Sequence, residues 1–107
     1  MTVFTEHVVQ IIKSIPIGRV MTYGQIAAEA GNPRAARQVA RILHSMSAKY
    51  DLPWHRVVNR KGELPRIGGE KGHLQKQLLE SEGVDVFVNY SVDLMRYGFN
   101  TDEGSVM

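Results

Sequence analysis

The sequence predicts a single α+β domain, mainly helical, of winged helix-turn-helix type, and three observations carry that prediction. At 107 residues the chain is long enough for one modest core and too short for two. Two helix starts, at Thr22 and Asn32, lie on either side of Ala30-Gly31-Asn32, a spacing compatible with a helix-turn-helix. Beyond them come two short strand-like runs and one further amphipathic helix. Residues 1–98 are expected to form this domain and residues 99–107 a disordered tail.

The elements follow in order. Val8, Ile11, Ile12 and Ile15 recur at the spacing of a core-facing helix between Val3 and Ile15, which Pro16 and Gly18 close. Thr22 with Gln25 three residues later reads as a capping box opening a second helix that ends at Gly31. Asn32 is expected to cap a third helix, from Pro33 at its first position to Ser47. His55 to Asn59 reads as a short strand and Asn59-Arg60-Lys61-Gly62 as a hairpin turn. A helix over Glu70–Glu82 carries Leu74, Leu78 and Leu79 as its stripe and stops at Gly83. Val84 to Val88 reads as a last short strand.

Composition narrows the function classes. Hydrophobic content of 43% and charged content of 22% are those of an ordinary globular protein. No apolar run nears the roughly 20 residues of a membrane span, and MTVFTEHVVQ lacks a signal-peptide pattern. The chain has no cysteine, so disulfides and thiolate metal sites are unavailable, and a cytoplasmic location is expected. His7, His44 and His73 show no metal-ligand spacing, so neither a metal nor a cofactor is expected.

Net charge is only +2, but its distribution is uneven. Seven basic residues between Arg34 and Lys61 face one acid, Asp51, whereas Glu80, Glu82, Asp85, Asp93, Asp102 and Glu103 crowd the last third. That asymmetry is the footprint of polyanion binding by one face. On the third helix, at 100° per residue, Arg34, Arg37, Gln38, Arg41, His44 and Ser45 fall within about 120° of arc. Ala35, Ala36, Val39, Ala40, Ile42, Leu43 and Met46 fill the other side. A solvated surface is the plain alternative. Three arginines without a carboxylate, behind a helix-turn-helix, favour nucleic-acid contact.

Four motifs in order make the pattern specific. Pro53-Trp54-His55-Arg56-Val57 is similar to PCHRV, the active-site motif of the O6-alkylguanine-DNA alkyltransferases, with tryptophan where the nucleophilic cysteine belongs. Residues 18–27 (GRVMTYGQIA) resemble that family's GxVxSYxQLA, and residues 31–39 (GNPRAARQV) its GNPxAARAV recognition helix. Gly68-Gly69 with Leu78-Leu79-Glu80-Ser81-Glu82-Gly83 resembles its GG…LLxxEG. The resemblance runs over about residues 3 to 86 and points to the alkyltransferase-like members, which keep the means to find the lesion and lack the thiolate that removes it.

The resemblance implies the roles. Arg37 stands at the arginine finger that fills the space of the flipped nucleotide from the minor groove, and Tyr23 at the tyrosine that crowds the target phosphate. Trp54 is expected to line the base pocket. Arg34 and Arg41 join the DNA-binding set, and Ile67, Gly68 and Gly69 the lesion-binding one. His55 and Glu82 are a vestigial dyad, expected to survive as a structural hydrogen bond, with Arg56 bonded internally as well. Met46 replaces a family asparagine, while Arg66 and Ile67 replace an aromatic and a serine; Ile67 gives the pocket a more apolar wall. The implied partners are double-stranded DNA containing O6-alkylguanine and nucleotide excision repair proteins. The protein is expected to be a monomer in solution, associated with the nucleoid through DNA, and not an enzyme. Two other readings compete: a sequence-reading winged-helix regulator, and a DNA glycosylase or lyase, which would need a positioned carboxylate or amine.

Overall fold

Helix α1 (Val3–Lys13) begins where the Thr2 hydroxyl accepts the Thr5 amide at 3.1 Å. Its stripe of Val8, Val9 and Ile12 is buried, and Ile15 is buried just past its end. The helix stops two residues earlier than expected because the Ser14 amide and hydroxyl close its last carbonyls. The computed structural model describes residues 1–64 and 69–100.

Strand β1 (Met21–Thr22) leads directly into helix α2 (Tyr23–Glu29). The capping box forms in full: the Thr22 hydroxyl accepts the Gln25 amide at 3.0 Å, and the Gln25 side chain accepts the Thr22 amide at 2.9 Å. Helix α3 runs over Ala36–Tyr50, later at both ends than the sequence predicts. Asn32 does not cap it. Its side chain accepts the Arg34 amide and its carbonyl accepts Ala35, which holds residues 32–35 in a turn of their own. Such local side-chain bonds compete with helix. The three helices bury Ile12, Ile26, Ala27, Val39, Ile42 and Leu43 against one another.

Residues Trp54–Arg56 form one 3-10 turn after Pro53, not the first half of a strand. The strand is only Val57–Val58 (β2), and it pairs in parallel with β1, Met21 beside Val57 and Thr22 beside Val58. Both of its residues are buried. The turn at Asn59 forms, with the Asn59 side chain accepting the Lys61 and Glu63 amides, both at 2.9 Å. Gly62 sits at φ +79°, where a Cβ would lie 2.5 Å from the Val92 carbonyl oxygen. Among the described residues no hairpin ladder follows; Glu63 makes a single bridge to Ser91.

Helix α4 (Glu70–Ser81) buries Gly72, Gln75 and Leu79, while Leu74 is 47% exposed, so the expected leucine stripe is wrong at Leu74. Residues 84–88 form no strand. Val84 joins a second core with Val20, Val58, Leu64, Leu79 and Tyr97, and the chain turns at Phe87–Tyr90. A short helix α5 (Leu94–Tyr97), capped by Asp93, completes the domain. The fold reaches past the expected boundary at residue 98: the Phe99 amide donates to the Val20 carbonyl at 2.7 Å, and its ring packs on the first core. Residues 101–107, the rest of the expected tail, lie outside the described residues. Among those described, no helix is long and apolar enough to cross a membrane.

Candidate nucleic-acid interface

Helix α3 packs one face on α1 and α2 and leaves the other outward. Arg37, Gln38, Arg41, His44 and Ser45 are all exposed, opposite buried Val39, Ile42 and Leu43. No carboxylate lies on the helix. Arg34 is exposed too, but it belongs to the preceding turn, so its position comes from the Asn32 turn and not from the helical arc.

The C-terminal half of this face opens onto a cavity of about 630 Å³. Its walls are Arg41, Leu43, His44 and Ser47 of α3, Tyr23 at the head of α2, Trp54 and Val57, and Lys71 and Gln75 of α4. Trp54 is half-buried and stands edge-on to His55, ring centres 6.2 Å apart. The Lys71 ammonium lies 5.1 Å from the centre of the Trp54 ring, within cation–π range. Burial pushes the Tyr23 phenol up, so it stays protonated and able to donate.

Tyr23, Arg41 and Trp54 thus converge on one cavity, whereas Arg37 and Arg34 stand outside it toward the start of the helix. Gly69 caps α4, two residues before Lys71. Ile67 and Gly68, like Arg66, lie outside the described residues. Met46 packs against the first core and does not line the cavity. Sequence reasoning missed Lys71 and Gln75. The buried series Gly72, Gln75, Leu79 was available at helical spacing, but the leucines drew the stripe elsewhere. The Gln75 side-chain nitrogen donates to the carbonyls of His55 and Val57 at 3.1 and 3.0 Å, which fixes the turn that carries Trp54.

Behind Trp54, Glu82 gathers three donors. His55 Nε2 lies 2.7 Å from its Oε2, the Arg56 guanidinium forks onto it at 2.7 and 2.9 Å, and the Gly18 amide donates at 3.1 Å. Arg56 Nη1 also donates to the Ile15 carbonyl at 2.9 Å. The cluster therefore ties the end of α4 to the turn at 54–56 and to the loop after α1. The side chain beside it at position 54 is an indole, whose N–H is a donor only.

The family profile described as "6-O-methylguanine DNA methyltransferase, DNA binding domain" matches residues 3–84. The chain belongs to this family. It is 46% identical over 97 residues to the DNA base-flipping protein of Escherichia coli K12, covering 91% of this chain and 74% of that one. It is 37% identical over 101 residues to Alkyltransferase-like protein 1 of Schizosaccharomyces pombe, covering 94% and 91%. The methylated-DNA–protein-cysteine methyltransferase of Salmonella typhimurium is 40% identical over 84 residues, but the chain spans only 47% of it. In structure it superposes on S. pombe Atl1 in complex with damaged DNA containing O6-carboxymethylguanine, with a TM-score of 0.81, 34% identity and coverage of 91% and 94%.

In this methyltransferase-family domain the Glu82 cluster gives a pH test. Burial by itself would raise the carboxyl, but the hydrogen bonds from Arg56, then His55, then the Gly18 amide outweigh it and hold it at about 2. The folded value is thus depressed below the ordinary 4.5. Its stabilisation is fully present above the unfolded value and is lost as pH falls from there toward 2. The melting temperature is expected to drop across that window, and the drop to shrink in Glu82→Gln. A wild-type profile that stays level there would contradict the assignment.

Proposed function

We propose that the protein is a non-enzymatic sensor of alkylated DNA. It binds the minor groove of a duplex through α3, rotates O6-alkylguanine into the cavity beside Trp54, and holds it there without transferring the alkyl group. The observation that carries this reading is the junction of an acid-free basic helix face with a Trp54-walled cavity, in a chain that has no cysteine. At about 630 Å³ the cavity falls within the usual range for small-ligand sites, about 300–1,000 Å³.

The energetics are consistent with selection of a damaged base. Flipping costs a few kcal/mol, least where pairing is already weak, and stacking a base on an aromatic ring returns ~1–3 kcal/mol. Arg34 and Arg41 neutralise phosphates, the Arg37 guanidinium stacks in the vacated space, and the Tyr23 phenol donates to the target nucleotide's phosphate. Gly69 lets the backbone approach the extruded nucleotide. Ile67 and Gly68 are assigned to the same wall from the sequence pattern. A single copy suffices, and the bound, distorted complex in the cytoplasm is what nucleotide excision repair proteins would take over, because it is a larger signal than the adduct alone.

No alkyl acceptor stands at position 54, and Glu82, the carboxylate a glycosylase would need, is held by three donors. Incubation with a duplex carrying O6-methylguanine is therefore expected to leave the intact protein mass and the modified base unchanged. A protein gaining one methyl, or release of the base, would overturn the non-enzymatic reading. Trp54→Ala is expected to weaken binding to that duplex by about 30-fold, the middle of the stacking range, measured by fluorescence anisotropy. Undiminished affinity would remove Trp54 from the site.

A further inference from the structure

The cavity beside Trp54 carries charge of one sign. Among the described residues its ionisable walls include Arg41 and His44 from α3 and Lys71 from α4, and no carboxylate lines it. Its two fixed cations, Arg41 and Lys71, are not equivalent. Arg41 and His44 belong to the exposed face of α3, where the phosphates of a duplex would meet them. Lys71 comes from another wall, with its ammonium 5.1 Å from the centre of the Trp54 ring. Glu70, the adjacent carboxylate, is exposed at the head of α4 and lines no part of the cavity.

We propose that Lys71 makes the site selective for guanines whose O6 substituent is an anion, such as a carboxylate, over neutral substituents of the same size. The inference rests on the base-flipping reading above. Trp54 occupies the acceptor position of the family motif, so a substituent on O6 of a flipped guanine is directed at the indole, and Lys71 is the cation lying over that indole. Contact with the π-face limits where the ammonium can wander. DNA closing over the cavity excludes water, which strengthens a charge pair relative to the same pair in solvent. A neutral substituent gains only packing at the same place. A carboxylate gains a charge-assisted hydrogen bond as well.

The test uses the whole protein and four duplexes that differ at one base: guanine, O6-methylguanine, O6-carboxymethylguanine and its neutral isostere, O6-carbamoylmethylguanine. The carboxymethyl duplex is expected to bind about five- to tenfold tighter than the carbamoylmethyl one, as for a charge-assisted pair that is partly desolvated. Lys71→Met is expected to collapse that ratio to within about twofold, and Lys71→Arg to keep it. Lys76→Met removes the same charge from the same helix, away from the cavity, and is expected to keep the ratio. Because a ratio is read on one protein, a partly misfolded variant affects both duplexes alike. Equal affinities in the wild type, or a ratio that survives Lys71→Met, overturn the inference. If O6-methylguanine is still preferred to guanine in that case, the base-flipping reading stands. If no modified duplex is preferred to guanine, both fall.

Discussion

Arg37→Ala is expected to lower affinity for a duplex containing O6-methylguanine by about 30- to 100-fold, the loss that corresponds to a few kcal/mol of flipping cost left without compensation. Arg37 is exposed on the first turn of α3, outside the cavity that holds Tyr23, Arg41 and Trp54. That separation suits the two tasks proposed: the cavity would receive the base while Arg37 would occupy the gap left in the stack. An arginine that only met a phosphate would cost far less, because surface charges are screened by salt. Lys61→Ala, in the exposed turn after Asn59, is therefore expected to cost only a fewfold and to depend steeply on salt. The Arg37 loss should persist at higher ionic strength, since stacking of a planar guanidinium is not a long-range Coulomb effect. Equal losses for the two variants would remove the intercalating role from Arg37.

Glu82→Gln is expected to destabilise the fold by about 3 kcal/mol, the low end for breaking a buried ion pair. In a domain of this size that is a fall in melting temperature on the order of 10–20 °C. The side chains of His55, Arg56 and Glu82 are only 12–14% exposed, so the substitution leaves a guanidinium with little access to water and without its counter-charge. It also weakens the attachment of the Gly18 loop and of the turn that carries Trp54. The exposed pair between Arg96 and Asp85, at 3.3 Å with both side chains well over half exposed, is the control. Asp85→Asn is expected to change stability by less than about 0.5 kcal/mol. Chemical denaturation of the two variants side by side decides it: similar small effects would mean that the Glu82 cluster is a relic with no structural role.

Much of the helical part was legible in the chain, for local reasons. The capping box at Thr22 and Gln25 needs only three residues, and the division of α3 into basic and apolar faces is a matter of period. The misreadings share a different cause. Val57-Val58 was recognised as strand, but its partner is Met21-Thr22, far back in the chain, and nothing local announces a parallel pairing. The run 84–88 is apolar enough for a strand, and a short run of that kind does not distinguish a strand from a buried turn. Asn32 with Pro33 after it has the pattern of a helix cap, whereas its bonds close a turn before α3 begins. In the site, the motifs located Trp54 and Tyr23 and the helical period located Arg41, and the fold gathers all three around one cavity. Lys71 and Gln75 were invisible because their importance comes from the packing of α4 against the turn at 54–56, a contact that no spacing within either segment encodes.

The central claim is that this domain recognises a modified base and does not repair it. The direct measurement is a titration of the intact protein against two duplexes that differ only by guanine and O6-methylguanine, at fixed salt. It would follow the fluorescence of Trp54, the single tryptophan in the chain, with the protein mass checked at the end. The expected result is tighter, saturable quenching by the methylated duplex with the mass unchanged. Equal, salt-governed binding to both duplexes would contradict it and leave only a basic helix-turn-helix that holds DNA without reading the lesion.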